Sequence, residues 1–219
     1  MTTTIARKTL MALTGLFLCS FLIVHLLGNL QLFLPEARAR TQFNWYADTL
    51  ASLLVIKIAA IGTYLAIITH TILAIVLTVR NRRSAGDCYQ ATSHPPLSPW
   101  HRRFMGVLGA VILVFLMVHM SDFWYPLKTG AEIGLDSAGR PDLFGLVATE
   151  FQQVWKIVLY ELGVLAVGFH LLHGFYSGLR SLGLHHSGYA RGVRWLGSAF
   201  AAAVTVGFGG MPIYLFFTQ

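Results

Sequence analysis

The chain has 219 residues, of which 55% are hydrophobic and 11% charged, with a formal net charge of +7. Soluble domains carry about a quarter charged residues, so this composition excludes an ordinary soluble domain and points to a membrane. The two cysteines, Cys19 in an apolar stretch and Cys88 in a polar one, offer no disulfide framework.

A helix that crosses a bilayer needs roughly 20 apolar residues at about 1.5 Å rise each. Five segments qualify. The first runs from about 9 to 34 and ends at Pro35. Arg7 and Lys8 precede it, as basic residues precede a signal peptide. No charge appears between Thr9 and Pro35, however, which is longer than a signal's apolar core. It is read as an uncleaved first helix. Pro35 to Asp48 reads as a short loop. The second span runs from about 49 to 79 with Lys57 as its only charge. Arg80 to Arg103 form a longer loop with Pro95, Pro96 and Pro99, either a connector or a docking segment for a peripheral partner. The third span covers about 104–121. The longest loop, Asp122 to Glu150, carries Gly130, Gly134 and Gly139. The fourth span, about 152–179, contains Glu161, and the fifth, about 195–217, contains no charge. Strand-type alternation is absent and no linker divides the spans. The expectation is one all-α membrane domain over 1–219, a bundle of five transmembrane helices.

Charge sets the orientation. With the N-terminus inside, the inner segments hold Arg7, Lys8, Arg80, Arg82, Arg83, Arg102, Arg103, Arg180, Arg191 and Arg194. Among the acids only Asp87 joins them; Glu36, Asp48, Asp122, Glu132, Asp136, Asp142 and Glu150 fall outside. Arg38, Arg40, Lys128 and Arg140 are the basic residues of the outer loops. The positive-inside rule therefore favours N-in, C-out. The positive charge is a feature of the inner face, and nucleic acid is dropped as a partner.

Four histidines stand inside these spans: His25, His70, His119 and His170, one on each of the first four helices. Helix direction puts His25 and His119 near the outer side, His70 and His170 near the inner side. Ionisable groups within a membrane mark function more often than packing. A neutral imidazole binds haem iron, and two axial imidazoles close the iron to other ligands, which suits electron transfer. The reading is two bis-histidine haems stacked across the membrane, His25 with His119 and His70 with His170. The alternative is four structural histidines bonded across helices. Gly28, Gly174 and Gly178 are small residues that let a ring approach the backbone. His173 competes with His170, since the two share a helix face. His94, His101, His185 and His186 lie in or beside inner loops and read as solvated or partner-facing.

The first helix reads Arg7-K-T-L-M-A-L-T-G-L-F-L-C-S-F-L-I-V-His25-L-L-G-N-L, the fourth ends Phe169-His170-L-L-His173-G-F-Y-S-G-L-R-S-L-Gly183, and Phe43-N-W-Y-A precedes the second. Together these resemble the cytochrome b subunit of succinate dehydrogenase/fumarate reductase, in its single-subunit, five-helix, di-haem branch (b558-type). The resemblance covers helices one to four. It implies two haem b groups, one ligand per helix, with His170 rather than His173 as the fourth. It implies a FAD flavoprotein subunit and an iron–sulfur subunit on the cytoplasmic side of a bacterial inner membrane. It also implies a quinone, usually menaquinone, as the electron partner within the bilayer. Alternatives are a haem-bearing anchor without its own quinone site, or the cytochrome b anchor of another dehydrogenase or hydrogenase. A glutamate found in one such arrangement two positions before the fourth-helix ligand is here Gly168.

Remaining polar residues are assigned on these terms. Asn29, one turn after His25, is a candidate contact for a haem propionate or a quinone carbonyl, or an interhelical hydrogen bond. Ser177, Arg180 and His173 are candidate propionate partners at the inner haem; Arg180 also reads as a positive-inside anchor. Gln31, Asn44, Tyr46, Asp48 and Asp122 are the quinone-pocket candidates, with Trp45 and Trp124 as possible walls. Lys57 and Glu161, at similar outer depths, are expected to pair or to line a polar route outward, unless Lys57 snorkels to the interface.

Overall fold

The computed structural model describes residues 4–85, 104–130, 133–184, 186 and 188–219. Cys88, His94, His101 and His185 lie outside the described residues. The described residues are helical almost throughout, with one isolated bridge, Leu135 to Pro141.

Helix α1 (Thr4–Asn29) tightens into a 3-10 turn at Leu30–Phe33. Leu34 then turns extended before Pro35, as the residue preceding a proline is biased to do. Residues 36–52 do not form the expected loop; they form helix α2 (Glu36–Ser52). Its composition explains both the helix and the missed expectation. Glu36 sits in the first turn, where the helix dipole favours an anion. Ala39, Phe43 and Asn44 share one buried face, while Arg38, Thr41 and Gln42 point outward. The segment is too polar to span and amphipathic enough to lie across the bundle end. At Leu53 the chain turns extended, so the second long helix, α3 (Leu54–Ala85), starts later than expected.

Helix α4 (Met105–His119) passes into a π turn at Met120–Trp124 and continues as α5 (Tyr125–Thr129), stopped by Gly130 in a left-handed conformation with φ 68°. The third span was expected to end near 121. Hydropathy falls there, but the backbone still satisfies itself helically for two more turns. Helix α6 (Leu143–Glu150) is capped by Asp142, whose carboxylate accepts from the Gly145 amide at 3.1 Å. Helices α7 (Val154–Ser181) and α8 (Ala190–Thr218) complete the chain.

Five stretches, Thr4–Phe33, Leu54–Asn81, Met105–Thr129, Val154–Ser181 and Ala190–Thr218, are long and apolar enough to cross a membrane. Their outer faces carry large apolar residues such as Ile58, Ile68, Val114 and Val206, as a bilayer environment requires. Helices α1 and α7 pack against each other at the centre. Helix α3 lies on α1, α4 lies on α7, and α3 touches α4, closing a four-helix ring with α8 packed outside on α7 and α1. In this ring α1 faces α4, and α3 faces α7, across the diagonals. One buried cluster joins α1, α7 and α8 through Cys19, Leu171, Ala201 and Val204. A second sits at the far end, where Ala39, Phe43, Phe144, Phe151 and Leu215 bind the cap formed by α2 and α6.

Candidate functional site

The two diagonals are where the histidines meet. His25 of α1 and His119 of α4 have ring centres 5.9 Å apart, nearly perpendicular at 86°. His70 of α3 and His170 of α7 have ring centres 6.2 Å apart at 67°. These are the pairs expected from helix direction. Their levels differ by the rise of one helix. His70 contacts Thr14 of α1, and His25 lies eleven residues further on, about 16 Å along the axis. That is about half of a roughly 30 Å hydrocarbon core.

His25 and His119, at the capped end (the outer pair of the expected orientation), sit among aromatic rings. Phe21 stacks on His25 at 5.2 Å and Phe208 of α8 lies at 5.3 Å. His119 touches Phe115, Phe123 and Tyr160. The π turn follows directly on His119; its extra residue re-aims the side chains after it, bringing Phe123 back to 5.3 Å from the His119 ring. Asn29 donates to the His25 carbonyl at 2.8 Å, and its nitrogen is 3.4 Å from His25 Nδ1. It therefore serves its own helix rather than a neighbour.

At the inner pair, Thr14 fixes the imidazole. Its hydroxyl lies 3.0 Å from the carbonyls of Leu10 and Met11 and 3.1 Å from His70 Nδ1. The single hydroxyl proton goes to a carbonyl, so Nδ1–H of His70 donates to Thr14 Oγ1. This leaves Nε2 with its lone pair as the free ligand atom. Gly15 makes room for the ring: a Cβ there would lie 3.2 Å from His70 Cε1.

These residues fit a haem. The ring centres of each pair, 5.9 and 6.2 Å apart, are spaced as two imidazoles that would hold one metal between them. Nδ1 of His119 and Nδ1 of His170 are buried without a hydrogen-bond partner in the protein. Among the described residues no three His, Cys, Asp or Glu side chains converge on one point. Two imidazoles per site are too few to enclose a bare ion but suffice for an iron already held by a macrocycle.

Beside the outer pair lies a polar cluster. Lys156, 8% exposed, forms ion pairs with Asp122 at 3.2 Å and with Glu150. The Tyr160 hydroxyl donates to the other Asp122 oxygen at 2.9 Å. Asp122 was among the expected site residues; Lys156 and Tyr160 were not. The available signal was a lone lysine at the start of an apolar span, one turn before a tyrosine.

The other expected residues fall in several places. Asn44, 1% exposed, accepts from the Phe144 amide at 2.9 Å and donates to Asp142 at 2.9 Å. Arg40 also pairs with Asp142, and Asp136 takes Arg140. These contacts clasp α2 to the outer loop. Gln31 donates to the Gly28 carbonyl at 3.1 Å. Tyr46 rests on Gly28, where a Cβ would come within 2.7 Å of its ring, so Gly28 accommodates Tyr46. Asp48 is exposed on α2. His173 and Ser177 are half-buried, Arg180 and His186 exposed. Gly174 lies against His170, whereas Gly178 admits Leu16 of α1. The expected pairing of Lys57 with Glu161 is not formed: Lys57 is exposed, while Glu161 lies against Gly209 of α8 with Oε1 unpartnered. Trp124 donates to the Tyr64 hydroxyl at 2.7 Å.

No known family profile, no curated protein and no solved structure matches this chain.

Proposed function

We propose that this chain is the membrane-anchor cytochrome b subunit of a succinate:quinone oxidoreductase in a bacterial inner membrane, with its N-terminus inside. It passes electrons between an iron–sulfur subunit, itself joined to a FAD flavoprotein, and a quinone of the menaquinone type. The observation that carries this reading is the meeting of four histidines, one from each of four helices, as two pairs at two levels. His25 and His119 would hold one b haem, His70 and His170 the other. When bound, each haem would supply a one-electron couple.

The chain's own residues do the rest. Thr14 holds the His70 ring in the tautomer that presents Nε2. Asn29 braces His25. Phe21, Phe115, Phe123 and Phe208 keep water from the outer pair. Reduction of a quinone takes two protons, and Asp122, Tyr160 and Lys156 form a bonded set of proton-holding groups beside His119. The outer end of the bundle is thus the better-equipped place for the quinone half-reaction, and Asp122 is its best-placed acid. Asn44 is committed to the clasp between α2 and α6.

Single replacements test the pairing. His25→Ala and His119→Ala should each remove the same spectroscopic haem, and His70→Ala and His170→Ala the other. Loss of one common haem from His25→Ala and His70→Ala would overturn the pairing. Co-purification of the tagged chain with a flavin-containing and an iron–sulfur subunit tests the complex; a haem-loaded chain that recovers neither would contradict it.

A further inference from the structure

Helix α8 begins at Ala190, and its first two turns carry Arg191, Arg194 and Trp195, all exposed. These three side chains and Ser198 line one pocket. Ser198 also lines a longer recess that continues between α7 and α8 past Leu172, Phe169 and Ala202 to Val206. The shared serine joins the two into a single groove with a cationic mouth and an apolar length.

The groove exists because its floor is made of small residues. Ala201 is 2% exposed at its base. Gly168 lies so close to Thr205 that any Cβ would strike the Thr205 hydroxyl. That hydroxyl donates to the Ala201 carbonyl at 2.8 Å, so it offers the groove no free polar group. At the mouth, Arg194 is already oriented. Its Nη1 donates to the Tyr176 hydroxyl at 3.5 Å, and its Cζ stands 5.5 Å over the Tyr176 ring.

We propose that this groove binds an anionic phospholipid, with the phosphate on Arg191 and Arg194 and one acyl chain laid between α7 and α8. Length supports this occupant. From Arg194 to Val206 the helix advances twelve residues, about 18 Å, close to the roughly 15 Å of hydrocarbon in one leaflet. Charge supports it as well. The start of α8 adds the positive end of a helix dipole to the two guanidinium groups, and basic pockets between helices at this level of a membrane bind lipid phosphates. Trp195 lies where interfacial tryptophans lie. A free phosphate would share the arginine contacts but leave the apolar length unused. A helix from a second copy would fill the length but have no use for the arginines. The inference does not depend on the haem reading.

The test uses the full chain, purified and delipidated in detergent, titrated separately with phosphatidylglycerol and phosphatidylcholine. Bound lipid is counted by native mass spectrometry. Phosphatidylglycerol should bind the tighter. The double substitution Arg191→Gln, Arg194→Gln should weaken it by about fivefold per arginine and affect phosphatidylcholine, whose phosphate is offset by its choline cation, less. Ala202→Phe, which keeps both arginines, should lower phosphatidylglycerol occupancy by blocking the chain. Inorganic phosphate should not displace the lipid. Equal affinity for the two lipids, or a double variant that binds like the parent, would overturn the proposal. So would full displacement by inorganic phosphate, which would mark a free-anion site. A dimer in place of bound lipid, lost in Ala202→Phe, would make the groove a contact between copies and equally overturn it.

Discussion

Thr14 has one hydroxyl proton, and the carbonyls of Leu10 and Met11 are placed to take it. The consequence is a His70 ring with Nδ1–H tied down and Nε2 presented, the arrangement that would orient it as a metal ligand. Thr14→Val should therefore weaken haem retention at the inner pair by about 10–100-fold with His70 still present, and Thr14→Ser should restore it. Haem titration of the two variants measures this. Lys156 raises the stakes at the outer end, because it neutralises two carboxylates inside the protein. Lys156→Met should cost about 1–3 kcal/mol in thermal unfolding, since it removes the cation between two half-buried carboxylates and leaves Asp122 with the Tyr160 hydroxyl. At this scale the sequence was uneven. The four histidines stood out, because a polar ring in an apolar run has few neighbours to hide among. Lys156 and Tyr160 did not, because the partner they share, Asp122, is 34 and 38 residues away and only folding brings the three together.

Between elements, close approach is set by glycines and clasps. Gly163 of α7 faces Phe115 of α4 so closely that a Cβ would collide with the ring. Gly163→Ala should push the helices apart at a cost of about 1–3 kcal/mol and disturb His119, one turn beyond Phe115. The clasp at the outer cap has a different sensitivity. Asn44→Ala would strand the buried Phe144 amide, at about 1–3 kcal/mol, read as faster hydrogen exchange at that amide. Asp136 accepts from the Arg140 and Ala138 amides, and these bonds, the Arg140 amide foremost, hold its carboxyl below the ordinary aspartate range. A depressed carboxyl stabilises the folded loop at pH above its unfolded value and loses that contribution as pH falls through its folded value. Protection of the Ala138 and Arg140 amides should decline on acidification across that window; protection that persists after Asp136 is protonated would contradict this. The long apolar helices were legible from hydropathy. Helix α2 was not, because a polar, amphipathic helix lying across a bundle end resembles a loop to a hydropathy window. Nor was the extension of α4 through its π turn, which only the placement of Phe123 and Asp122 against other helices explains.

At the scale of the whole molecule, one arrangement organises everything else. Four helices form a ring, and each histidine pair spans a diagonal at its own depth. Alternating helix direction made both pairings readable from sequence, since position along a span converts to depth. Ring order was not readable, because near-uniform apolar faces on α3 and α4 give little sign of which neighbour they meet. On the proposed reading, two pairs separated by about half the hydrocarbon core would make a relay across a bilayer, from the basic end to the capped end. The most direct test of that account is the reduced-minus-oxidised absorption spectrum of the purified full-length chain, with haem and protein both quantified. The account predicts two b-type haems per chain, each lost with its own pair of histidines. A purified, folded chain that binds no haem, or a single haem that survives replacement of either pair, would contradict it.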